Sequence, residues 1–383
     1  MAQTLYFSRD TKFFVELPQA SGEFVWEIPI LDGFSFSQAT NSTEVTLAEM
    51  SAGGVSKRGR AFFNDSLAPV EFSFATYARP FLSAGSGGGA ADGSAKQHAV
   101  EEVLWALMAG PATYSSNAFT NTTTHGSGAS ADLDIDFDQS NKSQLGTADV
   151  FFSLDDGGSN PTVYKIAGAV INEASIDFDI EGIATINWSG FGSTLTSDSK
   201  PTKTVYEAIN ATNNYIRNRL TSLSITAADT STFPGAGSGV YNLTLTGGNI
   251  TISNNITYLT PETIGSVNTP IGHVTGARSV SGSFTCYLGL DSSSNVGTST
   301  DFFADMTSAN AKAKTVNSFN TVFAIGGASS PFLKFTMPTA HFEIPSHSIE
   351  DVIALETTFQ ALPSTIGGTN ETTLKYRGVT PDV

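Results

Sequence analysis

The sequence predicts a mainly β protein in which one β-rich module occurs twice in tandem. Three observations carry this: a composition suited to short strands and turns, a period-two alternation of apolar side chains, and an apolar pattern that recurs in order. The 383 residues include 27 Phe and 36 Gly, and only 14% are charged, below the roughly 25% of average soluble proteins. Aromatic and β-branched side chains fit a pleated surface, while Gly and Asn supply turns. The length suits two domains of roughly 150–200 residues each.

Phe34–Gln38, Val70–Tyr77, Leu133–Phe137 and Ile176–Ile180 alternate apolar and polar residues, the pattern of half-buried strands. One helix is expected near Glu101, because Val100, Val103, Leu104, Leu107 and Met108 fall on a single helical stripe. Ser94 with Gln97 reads as a capping box, and Gly110-Pro111 ends the segment. The Gly/Ser-rich run Ser83–Ser94 reads as a flexible connection before the helix.

The recurrence is clearest where Val163–Gly192 aligns with Phe332–Ala361. Three more pairs keep the same order: Asn41 with Asn255, Val70–Tyr77 with Val280–Tyr287, and the helix with a shorter stretch carrying Phe302, Phe303 and Met306. Identity is low and the apolar pattern carries the match. The expected division is 1–203 for the first module with an N-terminal arm and 204–383 for the second. Thr196–Thr204 reads as the link and Ser364–Val383 as a C-terminal arm.

The charge balance is 19 basic against 36 acidic residues, a net of −17, which argues against tight phosphate binding. An acidic wall would instead let a duplex slide past. Cys286 is the single cysteine, so no intramolecular disulfide and no thiolate metal cage can form. Met1–Asp10 lacks the pattern of a signal peptide, and no stretch approaches the ~20 apolar residues of a membrane span. The expectation is a soluble protein of a cytoplasm, or one assembled there.

Catalytic motifs are missing: there is no phosphate-cradling G-x-x-x-x-G-K-[ST], no H-E-x-x-H and no G-x-S-x-G. No cofactor is expected. His341, Glu343 and His347 share a strand face by spacing, but such a pair is more often a surface accident than a metal site. Asp132, Asp134, Asp136 and Asp138 fail the calcium-loop pattern, because Phe137 stands where that loop needs Gly. Strand alternation explains them better, with Leu133, Ile135 and Phe137 inward and the carboxylates on the other face; Asp177 and Asp179 repeat the arrangement. A solvated sheet face and the wall of a conduit both remain open readings. Lys57, Arg58 and Arg60 form a basic cluster in the segment Glu49–Asp65, read as a solvated loop or a contact with an acidic neighbouring surface.

Trp26–Asn41 (WEIPILDGFSFSQATN), Gly59–Pro69 (GRAFFNDSLAP) and Gly168–Ala184 (GAVINEASIDFDIEGIA) resemble the major tail tube proteins of tailed phages. The resemblance implies modules of two packed antiparallel sheets with a flanking helix and a long β-hairpin loop. It implies six modules per ring, with inner sheets merged around a lumen and rings stacked through long loops and arms. Glu49–Asp65, including Lys57, Arg58, Arg60, Phe62 and Phe63, would be that loop in the first module, and Thr260–Gly276 in the second. The aspartates at 132, 134, 136, 138, 177 and 179 become lumen candidates.

Most members of that family carry one module, so two per chain imply a homotrimeric, pseudo-hexameric ring, with a homohexamer as the alternative. The implied partners are a tape measure protein, tail terminator, baseplate or tip proteins, a sheath if the tail contracts, and passing double-stranded DNA. The location implied is the virion. A cell-surface adhesin or S-layer-like array would share the composition but needs a signal peptide. A carbohydrate-active enzyme would need paired carboxylates across a cleft.

Overall fold

The structure is a computed structural model and describes residues 6–20, 22–45, 61–83, 95–111, 113–137, 145–155, 161–233, 239–261, 264, 267–289, 296–312, 318–349 and 351–380. The principal elements of the first half are β1 (Lys12–Gln19), β2 (Gly22–Ile28), β3 (Ser35–Val45), β4 (Ala61–Tyr77), α1 (Glu102–Ala109), β5 (Leu133–Asp136), β6 (Ala148–Leu154), β7 (Thr162–Asp179), β8 (Thr185–Gly192) and β9 (Thr194–Asp198). The second half contains β10 (Ser222–Ala227), β11 (Val240–Leu243), β12 (Leu245–Ser253), β13 (Ile256–Leu259), β14 (Gly272–Thr275) and β15 (Ser279–Tyr287). It continues with α2 (Ser299–Thr307), β16 (Phe319–Ile325), β17 (Phe332–Phe342), β18 (Ser346–Ser348), β19 (Ala354–Ala361) and β20 (Thr373–Arg377).

Two sheet orders recur. In the first half, β3, β4, β8 and the C-terminal part of β7 lie side by side. In the second, β12, β15, β19 and the end of β17 with β18 take the same order. The other sheet runs β2–β1–β6–β7–β9 in the first half and β11–β10–β16–β17–β20 in the second. Thus β7 and β17 each belong to two sheets. A bulge between Ile171 and Glu173 interrupts the pairing of β7 with β8, and such an extra residue bends a strand from one sheet into another.

The pairing fixes equivalent residues. Ser35 faces Ser73 as Asn249 faces Ser283, at the spacings read from the sequence. Ile171 faces Gly190 as Phe342 faces Phe359, and Ile176 faces Ile186 as His347 faces Leu355. This slides β7 two residues along β17 relative to the sequence alignment. A slip of two keeps every side chain on its face, which is why periodicity alone left it undetected.

One equivalent pair has exchanged its members. Phe72 faces Gly190 in the first half, and Gly282 faces Phe359 in the second. A Cβ at Gly190 would meet Phe72 at 2.5 Å, and one at Gly282 would meet Phe359 at 2.7 Å. Each ring therefore lies over a glycine, from either strand, and fills the same space.

The main hydrophobic core runs through both halves, beside two small clusters among the described residues. Helix α1 sits within it: all eight of its residues are buried. Trp105 packs against Trp188 at 4.7 Å and against Phe335 of the second half at 6.5 Å. Gln97 belongs to a short strand, Gln97–Ala99, and the N-cap position of α1 is Glu101 without a side-chain cap, while Ser94 and the rest of the Gly/Ser-rich run from 84 fall outside the described residues. Helix α2, which at nine residues is not shorter than the eight of α1 as expected, carries a box instead: Thr298 accepts from the Asp301 amide, and Asp301 accepts from the Thr298 amide.

Two boundaries differ from the sequence reading. Thr194–Asp198 is a paired strand, so the connection between the halves begins beyond it. Ser364–Val383 is not simply an arm, since Thr373–Arg377 lies between β17 and β5 with Leu374 and Tyr376 fully buried. TLKYR alternates polar and apolar residues, the period-two mark of a strand.

The connection is held by buried polar groups. Arg79 donates through Nη2 to the carbonyls of Ile209 and Ala211 at 2.8 and 3.1 Å. The Glu207 carboxylate accepts from the Glu27 amide at 2.8 Å and pairs with Lys203 at 3.1 Å. Burial raises the Glu207 carboxyl to about 8, against the lowering effect of Lys203. An unfolded glutamate ionises near 4.5, so folding takes up a proton between these values and stability falls as pH rises through the window. Glu207→Gln should remove that slope and gain on the order of 2 kcal/mol relative to the parent at pH 8, with little gain at pH 4. Thermal melts across that range measure it; a constant offset at every pH would contradict it.

Candidate functional site

The sheets of the two halves join. β7 pairs with β12 from Glu173 opposite Ser253 to Asp179 opposite Gly247, so eight strand positions form one surface among the described residues. Its inward side chains are apolar: Phe72, Phe74, Ile186, Trp188, Ile176, Ile250, Ile252, Phe284, Leu355 and Phe359 are all buried. The opposite face is polar. Ser35 and Ser73 hydroxyls meet at 2.8 Å, Asn187 donates to Asp177 at 3.3 Å, and the Ser283 hydroxyl donates to Asn249 at 3.0 Å. Across the second half, Thr251, Ser281, His341, Glu343 and Gln360 line a shallow groove of about 580 Å³.

The charge on that face has one sign. Glu71, Glu173, Asp177, Asp179, Glu343 and Glu356 lie on or beside these strands, whereas residues 35–45, 61–77, 168–179, 185–192, 245–253, 279–287, 338–348 and 354–361 contain no Lys or Arg. A phosphate backbone meets no cation there to hold it.

The predicted acidic residues separate into two places. Asp177 and Asp179 are exposed on β7 in the joined sheet. Asp132 and Asp134 flank and lie on β5, which pairs with β20. Lys375 Nζ lies 2.9 Å from Asp134, and Arg377 donates to Asp132 at 2.7 Å from Nε and 2.6 Å from Nη2. Opposite charges across a strand pair are favourable, and this accounts locally for Asp132 and Asp134. Asp136 lies at the end of β5, and Asp138 falls outside the described residues.

Among the described residues, the open edges of the joined sheet are β3 and the β17–β18 segment. Large apolar side chains stand exposed beside the second: Ile344 at 51% and Ile349 at 79%. Sequence periodicity overlooked them because they flank a short strand rather than belong to a long one. The paired registers make Ile349 equivalent to Phe178, which is 3% exposed at the β7·β12 junction.

Beyond the sheet, Phe62 and Phe63 are exposed at 61% and 51% on the outer part of β4. Lys57, Arg58 and Arg60 fall outside the described residues. The β13·β14 hairpin presents Leu259, Ile271 and Val274 to solvent. It lies beside the outer part of β4, where the Leu67 amide donates to the Asn268 carbonyl at 2.8 Å and the Asn268 amide to the Asp65 carbonyl at 3.2 Å. The two long arms therefore sit next to each other. His347 packs edge-on against Phe303 at 4.3 Å; the histidines that do gather around one carboxylate are His98 and His125, with Glu102.

A family profile described as phage tail tube protein matches residues 69–372. The chain is also 31% identical over 386 residues to the tail tube protein pb6 of Escherichia phage T5, an alignment covering 96% of this chain and 75% of that protein.

Proposed function

The chain belongs to the phage tail tube protein family, and we propose that three copies close head to tail into a ring lined by the joined sheet. It is a structural subunit of the tail tube, a component of the virion tail that assembles with itself and with other tail components.

The observation that carries the ring is the junction inside each chain. There β7 of the first half meets β12 of the second, and Phe178, Ile176, Ile250 and Ile252 are buried. The open edges hold the equivalent residues Ile349, His347, Phe36 and Gln38, which are exposed or half-exposed. Repeating the internal junction between chains sets residues 344–349 of one copy against residues 34–39 of the next. Pro345 lacks an amide donor, so that seam forms a sparser ladder than the internal one. An interface that joins unlike edges closes into a ring when the rotation returns to its start.

We take the two halves as products of one duplication, so each chain supplies two of six positions. The cation-free polar face then faces the lumen, with Asp177 and Asp179 on it, and DNA passes without specific binding. Asp132 and Asp134 serve to dock β20. Phe62, Phe63 and the β13·β14 hairpin supply contacts between rings, together with Lys57, Arg58 and Arg60. In this reading the chain has no catalytic role, assembles in the host cytoplasm around a tape measure protein, and meets terminator and baseplate or tip proteins at the tube ends.

Reconstruction of assembled tubes by cryo-electron microscopy tests the stoichiometry. The expected result is three chains per ring with near-sixfold lumen density; six chains per ring would overturn it.

A further inference from the structure

We propose that His98, Glu102 and His125 form a binding site for one zinc-like divalent cation per chain. The three residues come from separate elements: His98 from the strand Gln97–Ala99, Glu102 from the first turn of α1, and His125 from the strand Thr123–His125. His98 Nδ1 lies 3.2 Å from Glu102 Oε2, and His125 Nε2 lies 2.9 Å from Oε1. The ligand atoms lie within 4.8 Å of one another, and the imidazole rings meet edge-on with centroids 4.4 Å apart. Metal–ligand bonds of about 2.0–2.2 Å in a tetrahedron set neighbouring donors roughly 3.3 Å apart. Small side-chain movements therefore convert this triad into three ligands of such a site.

The surroundings supply what three protein ligands leave open. A cavity of about 240 Å³ reaches His98 and Glu102 and is also lined by Trp26, Tyr114, Asn117 and Glu207. A water in that cavity would take the fourth position. Two imidazoles with one carboxylate favour zinc and its neighbours in the transition series, whereas calcium and magnesium favour oxygen ligands throughout. The side chains of all three residues are at least nine-tenths buried, so rotamer freedom is already lost.

Without metal, the same atoms form a hydrogen-bonded triad. His125 Nε2 also lies 3.1 Å from the Thr123 hydroxyl, which itself donates to the Phe119 carbonyl. That arrangement places a proton on Nε2, and ligation through this nitrogen needs the other tautomer, with the proton on Nδ1. The second half carries no histidine on α2, so the expected count is one cation per chain rather than one per module.

Titration of the full-length chain with zinc chloride, by calorimetry and against a chromophoric chelator, tests the site. One saturable equivalent per chain is expected. His125→Gln, and separately His98→Gln, should weaken zinc binding at least about tenfold, while His341→Gln leaves it unchanged. Absence of a saturable equivalent in the parent chain overturns the proposal whatever the variants do. Equal affinity in the parent and in folded His125→Gln also overturns it, since the ion would then be held elsewhere.

Discussion

Replacing Ile344 and Ile349 together by aspartate is expected to give a folded chain that no longer forms tubes. Both side chains are exposed in the single chain, at 51% and 79%, so their replacement removes little packing from the fold. Surface changes of this kind usually alter stability within about 0.5 kcal/mol. At the proposed seam the effect is different. The residue equivalent to Ile349 is Phe178, buried where the two halves meet, and burying an unpaired carboxylate in such a place costs several kcal/mol. Because each ring repeats the seam at every chain, the penalty multiplies around the ring. Electron microscopy and sedimentation of the double variant, beside a thermal melt, measure this. Tubes of normal appearance would place the ring interface at other residues.

Ending the chain after Glu371 is expected to abolish cooperative folding. The truncation removes β20, whose Leu374 and Tyr376 have no exposed surface. Burial of such side chains stabilises by roughly 1.5–3 kcal/mol each. β5 and β17 would also lose their shared partner, exposing two strand edges, and Asp132 and Asp134 would lose Arg377 and Lys375. Trp105 Nε1 donates to the Tyr376 hydroxyl at 2.7 Å and would be left unsatisfied in the core. Together these losses approach the whole 5–15 kcal/mol by which a typical domain is stable. Tyr376→Phe isolates one part, keeping the ring while removing the acceptor for Trp105, and should cost about 1–3 kcal/mol by denaturant melts. A truncated chain that melts cooperatively would show that β20 is dispensable.

The seam and the C-terminal strand were legible to different degrees. TLKYR has the alternation of a strand, but alternation does not name a neighbour, and its partners are 200 residues apart in the chain: β5 and β17. The clustered aspartates were legible as one face of a strand. That this face meets Lys375 and Arg377 required the pairing of β5 with β20. The triad of His98, Glu102 and His125 gave only the i,i+4 spacing of its first two members as a signal; His125 reaches them because its strand pairs with β5.

The sequence by itself determined which residues face inward, the order in which corresponding strands recur, and the absence of basic residues from one set of strands. These follow from local periodicity and composition, which a chain carries without reference to its partners. Tertiary structure decided the rest: that β7 and β17 serve two sheets, that α1 is buried on every side, and that the two halves join through β7 and β12. Each of these depends on contacts between distant segments, where an apolar side chain fits against whichever surface the fold brings to it.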